Sequence, residues 1–121
     1  MSSTPPGEAW EHALPQAARE AIEAVLDPAE SVELVATAVG SSLVLTQRRL
    51  FVVRDGASFR PRTGVRPFEI DDGLKIRIGP ARRRVIIESA AGTINLFVRS
   101  EQLAQAEGFV AEVRRRIYID G

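Results

Sequence analysis

Residues that could perform chemistry are few in this sequence, and none forms a catalytic or metal-binding pattern. His12 is the only histidine and cysteine is absent, whereas a zinc site draws its ligands mainly from several such residues. Asp71 and Asp72 form a carboxylate pair, but the following Gly73 makes the pair typical of a turn. The serines lie in no nucleophile elbow. We therefore expect no catalytic residue, no metal and no cofactor.

Arginine provides the remaining chemical signal, because all but one of the basic residues are arginines. Guanidinium groups pair well with phosphate and carboxylate, so arginine-rich loops could meet an acidic partner or an anionic membrane. Alternatively, they form local ion pairs at solvated turns. No aromatic residues alternate with them, so nucleic-acid binding is not expected. The candidate anion-binding or partner-binding residues are Arg48, Arg49, Arg54, Arg60, Arg62, Arg66, Arg82, Arg83 and Arg84.

Charge is balanced overall but is distributed unevenly along the chain. Residues 1–40 hold one arginine against seven acidic residues, a net charge of −6, and the remainder holds 15 basic and nine acidic residues, a net charge of +6. This asymmetry either steers a partner or lets the two parts of the chain attract each other. The absence of cysteine and of a secretory signal favours a cytoplasmic location.

A chain of 121 residues fits one domain. Residues 1–13 are rich in Ser, Pro, Gly and Glu and are expected to form a flexible leader. Trp10 is the large apolar residue of this leader, so it either packs back onto the domain or anchors a partner. Residues 14–27 have the apolar spacing of an amphipathic helix, which ends at Asp27-Pro28. This helix could pack on the domain or on a partner.

Seven short segments with strand character follow the first helix, and a second amphipathic helix begins near Ser100. This order predicts a mostly β domain over residues 28–118 with a tail at 119–121. Consecutive antiparallel strands followed by one helix are typical of a sandwich or barrel with the helix over an open end. The predicted strands cover residues 32–39, 43–46, 50–54, 66–70, 74–78, 83–89 and 93–98.

Residues 43–53, with the sequence Leu-Val-Leu-Thr-Gln-Arg-Arg-Leu-Phe-Val-Val, join two apolar strands through a Thr-x-x-Arg turn. Together with an acidic residue ahead of the first strand, Glu30, they resemble bacterial pleckstrin-homology-like domains and the related GRAM domains. This resemblance implies a bent, seven-stranded antiparallel β-barrel with a C-terminal capping helix. The helix at 14–27 is an addition to that pattern.

The resemblance does not imply one function, since domains of this shape bind phosphoinositides, peptides, folded proteins or copies of themselves. Lipid-binding members use basic residues on the first two strands and the loop between them. Here residues 33–43 contain one Glu and no Lys or Arg, so the usual inositol-phosphate site is not expected. We expect a non-catalytic interaction module that docks to a protein or to itself as a homo-oligomer, with peripheral binding to anionic lipid headgroups through the arginine-rich loops as the alternative.

Overall fold

The computed structural model describes residues 14–54 and 64–120, and in these ranges seven antiparallel strands are flanked by one helix on each side. The seven predicted strands are confirmed, each within two residues at either end. A short 3-10 turn, Pro80–Arg82, separates the fifth and sixth strands. The elements are α1 (Gln16–Val25), β1 (Val32–Ala38), β2 (Ser41–Thr46), β3 (Arg49–Arg54), β4 (Val65–Glu69), β5 (Lys75–Ile78), β6 (Arg84–Ser89), β7 (Gly92–Phe97) and α2 (Ser100–Asp120).

The strands form two separate sheets, so the expected barrel is not closed. The order is β1-β2-β3-β4 in one sheet and β5-β6-β7 in the other. Where the sheets meet, the Val39 N–H donates to the Phe97 carbonyl at 2.8 Å. Pro67 is tolerated in β4 because β4 is an edge strand, where a ladder donor can be missing.

Strand β2 is buried along its entire length because it has a packed layer on each face. Successive side chains of a strand point to opposite faces. Leu43 and Leu45 therefore join the core that both sheets share with α2, while Val44 joins a second cluster on the other face of the four-stranded sheet. A strand that is covered on both sides accounts for the almost continuous apolar run in this part of the sequence.

Helix α1 covers the outer face of the four-stranded sheet. Ala18 and Ile22 are fully buried there, in a cluster with Val44, Phe51 and other residues of β1 and β3. The helix ends at Val25, and Leu26 takes extended backbone angles ahead of Asp27-Pro28. Of the two arrangements left open by the sequence, packing on the domain is the one observed.

A β-bulge in β1 brings its residues onto the correct faces. Val32 is paired with Thr46 and Leu34 with Leu45, so Glu33 is an additional residue between them. The bulge puts Val32 in the outer cluster with Val35, although the two residues are three positions apart in the chain. Without it, strict alternation would direct Val32 to the opposite face.

Helix α2 closes the shared core with one apolar face. Phe109 and Val113 are fully buried against both sheets. The helix continues to Asp120, two residues beyond the domain boundary expected at 118. Arg116 fastens the helix to the four-stranded sheet: its Nη1 donates to the Thr46 carbonyl at 3.0 Å and its Nη2 to Glu33 Oε1 at 2.5 Å.

Candidate functional site

Arg49 belongs to a buried network and not to an open surface. Its guanidinium donates twice to the Glu30 carboxylate, with Nη2 2.5 Å from Oε1 and Nε 3.0 Å from Oε2. The Glu30 side chain is fully buried, and Thr46 Oγ1 donates to the same carboxylate at 2.7 Å. The hydrogen bonds from Arg49, aided by that from Thr46, lower the pKa of Glu30 to about 2 in spite of its burial. Arg49 is therefore engaged within the fold.

Arg48 and Arg82 also have partners on the protein, but at exposed positions. Arg48 Nη1 lies 3.1 Å from Asp27 Oδ2, and Arg82 is paired with the Glu107 carboxylate on α2. Exposed pairs of this kind contribute about 0–1 kcal/mol to stability. These two arginines are thus weakly held at the surface.

Backbone pairing brings Arg54 and Arg84, which are far apart in the sequence, to the same end of the fold. Arg54 is the ladder partner of Ser41, which follows the turn at Val39. The Val39 N–H is bonded to the Phe97 carbonyl, and Phe97 is the ladder partner of Arg84. The guanidinium carbon of Arg84 lies 5.9 Å from the centre of the Phe97 ring, close enough for a cation–π contact.

Arg83 and Arg99 extend this end of the fold. The Val98 N–H donates to the Arg83 carbonyl at 2.9 Å, and both arginines line one open depression beside the start of α2. Neither side chain has an ion-pair partner among the described residues. We call this area the Phe97 surface, and it consists of Val39, Arg54, Arg83, Arg84, Phe97 and Arg99.

The remaining predicted site residues are Arg66, Trp10, Arg60 and Arg62. Arg66 lies in β4 with its guanidinium carbon 5.7 Å from the centre of the Phe68 ring. Trp10, Arg60 and Arg62 lie outside the described residues, so the structure does not place them.

A groove that the sequence did not indicate runs between β5 and the C-terminal half of α2. Its volume is about 270 Å³. Leu74, Ile76 and Ile117 form a buried aliphatic floor, and Tyr118, which is 73% exposed, lies at its rim. The groove is lined by Asp72, Leu74, Lys75, Ile76, Arg77, Glu88, Arg114, Ile117 and Tyr118.

The groove lies at an unpaired strand edge and carries excess positive charge. Strand β5 is bonded to β6 on one side and is the edge of its sheet on the other. Arg77 Nε lies 3.9 Å from Glu88 Oε1, whereas Lys75 and Arg114 have no ion-pair partner among the described residues. An unpaired edge offers free backbone N–H and C=O groups to another extended chain. The period-two pattern of residues 74–78 predicted the strand but could not show that it is an edge.

Comparisons with protein-family models, with curated proteins and with solved structures find no match. In residues 14–54 and 64–120 there is no cluster of three or more His, Cys, Asp or Glu residues that could hold a metal ion. None of the helices described in those ranges combines the length and the apolar character needed to cross a membrane.

Proposed function

We propose that this chain is a non-catalytic protein-docking module whose β5–α2 groove binds an extended, acidic segment of a partner protein. The observation that carries the proposal is the unpaired edge of β5 beside an apolar floor. A peptide that adds a strand to such an edge gains affinity from backbone hydrogen bonds and specificity from alternate side chains. A cytoplasmic location is part of the proposal and rests on the cysteine-free sequence.

Charge specifies the chemistry of the partner. Lys75 and Arg114 are free of ion pairs in the described part of the chain, and both line the groove. Cross-strand pairs of opposite charge stabilise a sheet, and like charges directly opposite each other destabilise it. An added strand with alternating carboxylate and apolar side chains places acidic groups beside Lys75 and Arg77 and apolar groups toward the floor.

The same charges disfavour pairing of β5 with a second copy of itself. In an antiparallel pair centred on Ile76, Lys75 of each copy would lie opposite Arg77 of the other. Pairs centred on Lys75 or on Arg77 would also place cations opposite cations. Lysine on an edge strand is a common device against edge-to-edge association. We therefore favour a different protein over a homo-oligomer as the occupant of the groove.

The pleckstrin-homology-like assignment is also part of this proposal. A four-stranded and a three-stranded antiparallel sheet, in chain order, support it. So does a C-terminal helix that packs into the core shared by the two sheets. The proposal transfers the shape alone, because the groove and its charges are argued from the residues of this chain.

Fluorescence anisotropy with two designed peptides tests the proposal. A labelled peptide of alternating valine and glutamate should bind, and one of alternating valine and lysine should not. Amide NMR shifts caused by the acidic peptide should map to residues 75–78 and 114–118. Equal binding of the two peptides, or shifts confined to another surface, would rule out the groove as the docking site.

A charge-reversal variant makes this test specific. Lys75→Glu with Arg114→Glu should abolish binding of the glutamate peptide and create binding of the lysine peptide. Arg54→Glu with Arg83→Glu makes the same change in net charge away from the groove and should leave the original preference intact. Light scattering should give the mass of a monomer for the full chain. A stable dimer that becomes stronger in the charge-reversal variant would favour self-association through the groove over docking of a different protein.

A further inference from the structure

The Phe97 surface combines exposed apolar side chains with unpaired cations. Phe97 is 59% exposed and Val39 is 46% exposed, although both are large hydrophobic residues. Their backbones are joined by a hydrogen bond, so Val39, in the turn after β1, and Phe97, at the end of β7, lie at the same end of the fold. Helix α2 already closes the shared core. The packing of the core therefore does not require Phe97 and Val39 to be exposed.

Several arginines lie at the same end of the fold as this apolar pair. Arg54, Arg83 and Arg99 have no ion-pair partner within the described ranges, and Arg84 has its guanidinium near the Phe97 ring. Glu101 is the single carboxylate among the described residues that line the depression beside Arg83 and Arg99. This end of the fold therefore combines four arginines with an exposed aromatic ring, which one of them, Arg84, approaches directly.

We propose that the Phe97 surface binds anionic phospholipid bilayers, with Phe97 and Val39 entering the headgroup region and the arginines binding lipid phosphates. Amphipathic surfaces of this composition lie at the boundary between headgroups and acyl chains, where apolar burial and attraction to anionic lipid add together. Each arginine near an anionic membrane surface contributes to binding. This surface is separate from the β5–α2 groove, so a negative result for one proposal does not affect the other.

Charge and exposure favour a membrane over other anionic partners. An anionic bilayer uses both features, since it accepts the apolar pair and neutralises the arginines. Nucleic-acid binding to single strands relies on several stacking platforms, and this surface has one exposed aromatic ring among the described residues. A soluble phosphate would use the arginines but would leave Phe97 and Val39 in water.

Co-sedimentation of the full chain with vesicles tests the proposal. The chain should bind phosphatidylcholine vesicles that contain phosphatidylglycerol, bind pure phosphatidylcholine vesicles weakly, and be released by salt, because exposed charges are screened over about 10 Å near 0.1 M. Arg83→Ala with Arg99→Ala should weaken binding by about 30-fold, which is about fivefold for each arginine. Phe97→Ala should weaken it by about tenfold. Lack of binding to the anionic vesicles at low salt would overturn the proposal.

The control removes the same charge from the groove. Lys75→Ala with Arg114→Ala should leave vesicle binding within about twofold of the unchanged chain, since these side chains lie outside the Phe97 surface. Equal losses in the two double variants would show that net charge, and not this surface, drives binding. Thermal melts should show that all variants stay folded, as expected for exposed side chains. Inorganic phosphate and an oligonucleotide should compete for the chain less strongly than anionic vesicles do. If either competes as strongly as the vesicles, the membrane is not the preferred partner.

An emission probe tests insertion directly. In a Trp10→Phe background, Phe97→Trp should shift its fluorescence to shorter wavelength when anionic vesicles are added, because the indole leaves water. Tyr118→Trp in the same background is the control at the groove and should not shift. A bound protein with an unshifted probe at position 97 would mean that another surface faces the membrane.

Discussion

The guanidinium of Arg49 and the carboxylate of Glu30 form a two-point ion pair inside the protein, although they are 19 positions apart in the chain. The Arg49 guanidinium also lies 4.7 Å from the centre of the Phe51 ring, and its Nη2 is 3.5 Å from the Val25 carbonyl. The pair therefore joins the end of α1, the segment before β1 and the start of β3. Its role is to hold these elements together.

Glu30→Ala should lower the free energy of unfolding by about 3 kcal/mol, because it leaves a largely buried guanidinium without its counter-charge. Glu23→Ala removes an exposed carboxylate from α1 and should change stability by less than about 0.5 kcal/mol. Urea unfolding of both variants measures the difference. Equal effects would mean that the Glu30 contact does not stabilise the folded chain.

Stability should depend on acid through Glu30. Its pKa is about 2 in the folded chain against an ordinary value of 4.5, so the folded state binds the proton less well. The stabilisation is therefore fully present above the ordinary value and is lost as the pH falls toward 2. Between about pH 6 and about pH 3, the stability difference between the unchanged chain and Glu30→Gln should shrink by about 2 kcal/mol in urea titrations. A difference that stays constant would contradict the lowered pKa.

Two buried hydroxyls on β2 should respond to substitution in opposite ways. Ser42 Oγ is buried and has no hydrogen-bond partner among the described residues, whereas Thr46 Oγ1 donates to Glu30 and accepts from the Arg48 and Arg49 N–H groups. Ser42→Ala should leave the melting temperature unchanged or raise it, and Thr46→Val should lower stability by about 1–3 kcal/mol. Thermal melts compare them, and a large loss with Ser42→Ala would point to a partner for that hydroxyl.

Ile22→Ala should destabilise the whole chain by about 3 kcal/mol, since it opens a cavity between α1 and the sheet. Ile22 is fully buried against residues of β2 and β3. The control is Ala24→Gly, because Ala24 is an exposed position of α1, whereas Arg19 is partly buried. The expected loss of stability for Ala24→Gly is about 1 kcal/mol. Chemical denaturation should separate the two. A smaller loss for Ile22→Ala than for Ala24→Gly would mean that α1 packs only loosely.

The strand positions could be predicted because turns and alternation are local signals. Gly40 has a φ of +70°, a backbone conformation that favours glycine, and it lies in the turn between β1 and β2. Asp71 Oδ1 accepts a hydrogen bond from the Gly73 N–H at 2.9 Å, as expected of a carboxylate in a turn. Both features are set by residues within a few positions of each other.

The Phe97 surface and the β5–α2 groove depend on long-range contacts that the spacing of residues in the sequence does not reveal. Arg48 and Arg49 are neighbours in the sequence, yet Arg48 lies in an exposed turn while Arg49 begins β3 and contacts Glu30. Glu30 and the Thr-x-x-Arg turn both belong to the pattern behind the resemblance, but the sequence does not show that they are in contact. The β5–α2 groove requires the order of strands in the sheet, which short-range alternation cannot give. Long-range packing therefore decides which cations are free.

Because β2 is buried on both faces, its amide protons are the best reporters of global unfolding. Val44 belongs to the cluster under α1, and Leu43 and Leu45 belong to the core under α2. Neither cluster can lose its packing without uncovering one face of the same strand. In native-state hydrogen exchange, the amides of these residues are therefore expected to open only with global unfolding, and α1 and α2 act as parts of one cooperative unit.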